Sequence, residues 1–378
     1  MKTGQFTWQQ GSWKGSDGKS LDFSPDLTLI FGQRMLLENG VPYEAYAAPF
    51  RSGQVVIGST SGNILGNCVS DDDITATAIK FKDTKVQGAL FQVQGLTDRE
   101  LGEMIGTHFL PEVADMRLLY VIADGLSVNG SALVEGIGNI IGPTIPVAGG
   151  LAGDDARFQS TLVGLNGKPG PGQVAVVTFH GDSLEVGCGT RTGWEPFGPE
   201  RVITRSMGNV VHEIDGKGAL ALYKSYLGDR AAELPGSALL FPLEMVVEGT
   251  KERLIRTILS VNEDDQSMTF AGNIPQGSTV RLMKANFEKL IDGAADAAGI
   301  SRKNFVHDPE LALLVSCVGR KLILGQRTEE EIEEASAALG AGTTVAGFYS
   351  YGEIAPLGTG DICHLHNQSM TITSLRER

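Results

Sequence analysis

Six consecutive apolar residues, Leu118-Leu119-Tyr120-Val121-Ile122-Ala123, dictate what must surround them. A strand with one wet face alternates apolar and polar side chains, so an unbroken run needs cover on both faces. Helix signals flank it. Thr97 and Glu100 form a capping box ahead of an apolar face made by Leu101, Met104, Ile105, His108 and Phe109. Asn129 caps a second face, Leu133, Ile137, Ile140 and Ile141. Helix, buried strand, helix is the order of an α/β fold.

The rest of the chain extends this pattern. Residues 1–24 read as a polar, Gly/Ser-rich arm whose Trp8 and Trp13 dock on the body or on a partner. Val55-Val56-Ile57 leads into a turn, and residues 74–81 alternate as a half-buried strand does. Residues 173–179 and 184–192 read as a hairpin closed by Gly181-Asp182-Ser183. Prolines and glycines at 193–217 mark a boundary, which predicts domains at 25–215 and 216–378. Past it, Met283, Phe287, Leu290, Ile291, Ala294 and Ala298 line a helix that stops at Gly299. Residues 311–315 form a buried strand, and Thr328 with Glu331 caps an acidic helix. Strand-like residues 347–354 and 363–375 close the chain. Ser61-Gly62-Asn63-Ile64 is echoed by Tyr351-Gly352-Glu353-Ile354, which hints at related halves. The fold class expected is α/β, with two mixed-sheet domains in tandem, and 378 residues accommodate both.

Composition narrows the function. With 31 basic and 45 acidic residues the net charge is -14, which repels a phosphate backbone and argues against nucleic-acid binding. Four scattered cysteines, none in CxxC, make neither a disulfide framework nor a zinc ribbon. No apolar leader is visible, and the long uncharged stretch 136–153 carries Pro143, Pro146 and many glycines, unlike a membrane helix. A cytoplasmic protein is expected.

The familiar catalytic signatures are missing. Gly149-Gly150-Leu151-Ala152-Gly153 lacks dinucleotide-loop spacing, and GxxxxGK[ST], HExxH and GxSxG do not occur. Candidates gather toward the C-terminus. Cys317 and Arg320 follow a buried strand, where α/β sheets collect ligands. Arg320 suits a carboxylate, or else pairs with an acidic neighbour. Tyr349, Tyr351 and Glu353 sit at another strand end. On a strand through residues 363–366, His364 and His366 share one face about 7 Å apart, while Cys363 and Leu365 share the other. Asn367 and Gln368 add amides. Plainer readings stand beside these: Cys317 as a small core residue, His108 as a core histidine, His180 as a solvated turn residue, and 329–334 as a wet helix face.

Seven segments in order resemble the motifs of FIST proteins: VVIGSTSGNI (55–64), PVAGGLAGDDARF (146–158), GWEPFG (193–198), GNVVHEIDGKGALALYKSYLG (208–228), SCVGRKLILG (316–325), GFYSYGEI (347–354) and CHLHNQSMTITSL (363–375). The resemblance covers the chain from about residue 25 and implies paired N- and C-terminal FIST domains. Cys317, Gly319, Arg320, Gly347, Tyr349, Gly352, Glu353, His366 and Asn367 match the C-terminal pattern. In the first motif Ser59 replaces a cysteine and Asn63 a glutamate. The family implies a small-ligand sensor in signal transduction, with amino acids proposed as ligands. One stand-alone branch, of NosP type, consists of heme-binding nitric oxide sensors that modulate a partner histidine kinase.

Three functional expectations follow. The first is a sensor with heme as cofactor, nitric oxide as signal and a histidine kinase as partner. Its candidate axial ligands are His212, His307, His364 and His366, since heme iron takes His, Cys, Met or Tyr. The second is a metal-free sensor of amino acids or other small anions, with Cys317, Arg320, Tyr349, Tyr351, Glu353, His366 and Asn367 around the ligand. The third is an enzyme with Cys317 as nucleophile and His366 as base. No catalytic role is otherwise expected.

Overall fold

The computed structural model describes residues 1–234, 236–247, 253–357 and 362–378. Three six-stranded mixed sheets share one plan. In the first, Leu27–Gly32 runs parallel to Gln54–Ser59, with Ile74–Lys80 antiparallel on its other side. In the second, Met116–Ala123 and Val147–Leu151 are the parallel pair and Gln173–His180 the antiparallel neighbour. In the third these places belong to Leu311–Cys317, Thr344–Ser350 and Met370–Glu377.

The sheets exchange strands in a cycle. Gln54–Ser59 continues into Asn63–Leu65, which pairs in the third sheet. Thr344–Ser350 continues into Gly352–Pro356, which pairs in the second. Val147–Leu151 continues into Val163–Leu165, which pairs in the first. Matching backbone bonds hold the crossings: Ser61 N to Tyr349 O at 2.9 Å, Tyr351 N to Leu151 O at 3.2 Å, and Gly153 N to Ser59 O at 2.9 Å. The echoed tetrapeptides sit at two of these crossings. There Thr60 Oγ1 donates to Asn63 Oδ1 and Ser350 Oγ to Glu353 Oε1, three residues on in each case. The echo therefore belongs to three related sheets rather than two related halves. The third crossing takes a detour through residues 154–161, which hides its likeness in sequence.

This arrangement explains the buried runs. Leu27, Leu29 and Phe31 meet Leu118, Tyr120 and Ile122 and also Leu311, Leu313 and Val315 in one central core. The alternate residues face outward into helical layers: Leu119 and Val121 against the helices Asp98–Phe109 and Gly130–Ile141, and Leu314 against Phe287–Arg302 and Thr328–Leu339. Each central strand is thus covered twice. So is Ile74–Lys80, expected to be half-buried; its Thr75 and Thr77 are enclosed too.

Several local expectations are corrected by packing. Residues 1–24, read as a polar arm with docking tryptophans, are strands in part: Lys2–Gln9 and Ser12–Gly15 form a hairpin on the first sheet. Trp13 stands edge-on to Trp8 and donates to Tyr46 O at 2.9 Å. Gln173–His180 and Leu184–Arg191 do not pair, because the first is already flanked on both sides in the second sheet while the other joins Met370–Glu377 in the third. His180 is accordingly buried, held to Thr178 Oγ1 at 2.9 Å, and burial lowers its pKa. His108 and Met104 are exposed, because the helix turns Gly102 and Gly106 inward against Gly130–Ile141. Gly299 does not end its helix, which runs on to Arg302.

Between Leu184–Arg191 and Phe287–Arg302 the chain builds a fourth sheet, of nine strands among the described residues between 195 and 284. Helix Ala219–Leu227 packs on it, and the pair has its own core around Ile203, Tyr223, Leu254 and Phe270. At its root, Trp194 Nε1 donates to Gln368 O at 3.0 Å. The composition change at 193–217 thus marks the entry to this insertion.

Candidate functional site

The predicted residues gather at the carboxyl ends of the third sheet's parallel strands, but most serve one another. Strand Leu311–Cys317 runs into the short helix Val318–Leu324, which carries Arg320 inward to complete burial. Its Nε and one terminal nitrogen donate to Glu331 Oε2 at 3.0 and 2.7 Å. The guanidinium also bonds Thr192 O and Leu290 O, each at 2.6 Å. Tyr349 donates its hydroxyl to Glu331 Oε1 at 2.6 Å, and Ser316 Oγ to the same atom at 3.1 Å. Arg320, expected to take a ligand carboxylate, is closed over by this internal one. Glu331, expected in a capping box and on a wet face, turns inward because a buried guanidinium requires a counter-charge. Thr328 instead donates to Gly325 O at 2.6 Å.

Glu353 and His366 are register partners across the second sheet's edge, and both are buried. Glu353 accepts from Ser350 Oγ, Ser369 N and Ser369 Oγ. Burial outweighs these bonds and pushes its carboxyl up to about 7. Burial pulls His366 down to about 3, although its Nε2 meets Ala355 O at 2.8 Å. The two groups bias stability in opposite senses. The folded state holds a proton on Glu353 between pH 4.5 and about 7, so that contribution is lost as pH rises through this window. The unfolded state holds a proton on His366 between about 3 and 6.5, so that contribution is lost as pH falls. Glu353→Gln should therefore make stability rise with pH, relative to wild type, by about 1.4 kcal/mol per unit across their overlap. Urea melts at pH 5 and 6 measure the difference, and parallel pH profiles for the two proteins would rule it out.

Cys317 is buried beside this pair, and desolvation, with the Glu353 charge, pushes its thiol far up. A thiol so held is a poor nucleophile. No hydrogen bond joins it to His366 among the described residues. Asn367 donates to His366 O at 2.9 Å. Gln368, at φ 56°, lays its amide on Gly319, where a Cβ would come within 2.4 Å of Nε2. Asn367 Oδ1 and both Gln368 amide atoms are buried without a partner among the described residues. Tyr351, at the strand crossing, accepts from Phe158 N at 3.1 Å and stacks on the Phe158 ring at 4.5 Å.

The four candidate histidines are dispersed. His212 lies on the fourth sheet, 3.7 Å from Asp265. His307 is on an exposed turn. The rings of His364 and His366 are 6.4 Å apart and nearly perpendicular.

His364 alone of the four lines a cleft of about 560 Å³ where the fourth sheet meets the second. One wall is helix Gly130–Ile141 with Val147 and Leu365, and the other is Met245, Leu254, Arg256 and Asn273. Its surface is mainly apolar, and its polar lining residues are Ser131, Glu135, Asn139, Arg256, Asn273 and His364. That combination is characteristic of small-molecule sites. Arg256 is not singled out by the sequence, although an Arg between the apolar Leu254-Ile255 and Ile258 is the available signal.

The FIST N domain model matches residues 26–217 and the FIST C domain model residues 219–356. The chain belongs to the FIST family, whose domains are associated with small-ligand sensing in signal transduction rather than with catalysis. No curated protein matches it. Among the described residues no helix is long and apolar enough to cross a membrane. The two family segments are tandem in sequence, yet they trade strands in space: Asn63–Leu65 joins the third sheet and Gly352–Pro356 the second.

Proposed function

We propose that this protein senses a small ligand held in the cleft between the three-sheet body and the fourth sheet. One observation carries the reading: both parts wall a single, mostly apolar cleft that holds a few polar groups. A ligand there touches both parts, so it can favour one relative arrangement of them, provided it binds that arrangement more tightly. A partner, in this reading a cytoplasmic sensor histidine kinase, responds to the shift.

In its finer form heme is the cofactor and nitric oxide the signal. In support, the cleft is lined by His364, a residue type that ligates heme iron, and its walls are mainly apolar. Bound there, heme would supply an iron site for a diatomic gas, while the chain's own residues would exclude water and hold the group in place. Titration with hemin should give a Soret band that moves with nitric oxide. His364→Ala should remove the band, whereas His212→Ala and His307→Ala, outside the cleft, should leave it. A band retained in His364→Ala overturns this axial assignment, and no hemin uptake by wild type overturns the heme form. The metal-free form, a sensor of small anions, is supported by a second buried cation: Arg320 is closed over by Glu331, whereas Arg256 lines the cleft and is bonded only to backbone carbonyls.

A further inference from the structure

Arg256 ends the strand Arg253–Arg256 and is only 3% exposed. Its Nε donates to Asn273 O at 3.1 Å, and one terminal nitrogen donates to Ile255 O at 3.2 Å and Leu365 O at 3.0 Å. All three acceptors are neutral carbonyls. No carboxylate of the described residues pairs with it. Glu135, which also lines the cleft, is taken by Arg99 at 2.6 Å. Arg320 shows the contrast, since its equally buried charge meets Glu331. Burial lowers Arg256 only to about 10, so it stays charged at neutral pH. Ser131 Oγ, buried and without a partner among the described residues, stands at the same place: the Cβ position of Gly272 lies 3.0 Å both from it and from Arg256 Nε. A side chain at 272 would press on both groups.

We propose that Arg256, with Ser131, receives the carboxylate of a ligand whose apolar body lies against Val134, Val147, Met245 and Leu254. The proposal rests on the cleft being the ligand site. A planar guanidinium whose remaining donors face a partly dry cleft matches a carboxylate, and the apolar walls match a hydrocarbon or aromatic body. A heme propionate and a metal-free organic acid share this chemistry.

Octanoate and octanol, titrated calorimetrically into the full chain, separate the charge from the apolar body. Wild type should bind the acid about tenfold or more tightly than the alcohol, as a charge-assisted bond implies. Arg256→Met should bring the two within about twofold while still binding both. Gly138→Phe, at a cleft position where a Cβ meets no atom within 4 Å, should block both. Equal binding of acid and alcohol by wild type overturns the carboxylate proposal and leaves the cleft reading intact. Binding unaffected by Gly138→Phe, or no binding of either probe, overturns the cleft reading and the proposal with it. A hemin arm identifies the source: hemin uptake that weakens in Arg256→Met and is competed by octanoate points to a propionate, while octanoate binding without hemin uptake points to a free acid.

Discussion

Glu331→Gln should lower folding stability by about 3–5 kcal/mol, the usual result of removing one member of a buried ion pair. The variant keeps the shape of the side chain and deletes its charge. Arg320 then remains enclosed, with two backbone carbonyls and a neutral amide in place of a carboxylate. Tyr349 and Ser316, which both donate to Glu331 Oε1, lose strength at the same time. Arg320→Met should cost a similar amount by stranding the carboxylate. The double change to Met at both positions should cost much less than the sum, since no uncompensated charge is left inside. Urea midpoints for the single and double variants test this, and a loss below about 1 kcal/mol in Glu331→Gln would show the pair to be dispensable. The functional corollary is that Arg320, bonded to Glu331 within the third sheet and its helices, is not open to a ligand carboxylate.

The second large effect is expected where two helices touch through glycine. A Cβ on Gly102 would lie 2.2 Å from Leu133 O, and one on Gly136 would lie 2.2 Å from Arg99 O. Backbone atoms cannot yield as a flexible side chain can, so even one methyl group must push the helices apart. Gly102→Ala should cost about 1–3 kcal/mol, and Gly102→Val about 4 kcal/mol or more. Gly299→Ala serves as the control. Its added Cβ meets nothing within 4 Å, and alanine should stabilise that helix by about 0.5–1 kcal/mol. Thermal melts of the three variants give the comparison, and a neutral Gly102→Ala would refute the close-contact account. Because Ser131, Val134 and Gly138 line the cleft from the second of these helices, Gly102→Val should also weaken ligand binding there.

These two sites show why some of the molecule is legible in its sequence. The run at 118–123 announces a doubly covered strand, because burial on both faces removes every polar position. Thr97 with Glu100 and Asn129 announce their caps, because a cap depends on residues only a few positions away. On Asp98–Phe109, Leu101, Ile105 and Phe109 are buried as their spacing predicts, but Met104 and His108 are not, because Gly102 and Gly106, which carry no hydrophobic signal, form the contact instead. The acidic helix misled for a similar reason. Glu331 looks like its exposed neighbours, and nothing local marks it as the partner of a residue eleven positions earlier.

By itself, then, the sequence determined the α/β character, the doubly buried strands at 118–123 and 311–315, the caps at Thr97 and Asn129, and the family, all of which depend on local pattern or ordered motifs. Only the tertiary structure decided which strands pair, that the sheets trade strands in a threefold cycle, and that the described strands between 195 and 284 form a separate sheet. It also decided which cation is spent. Arg320 and Arg256 are both buried arginines among apolar neighbours, and their difference lies in what the fold brings to each. Glu331 neutralises the first, while the second meets only backbone carbonyls and faces a cleft. Such pairings lie beyond a single helix turn or strand pair, as Arg256 with Leu365 does, so their energies are settled by packing and not by local propensity.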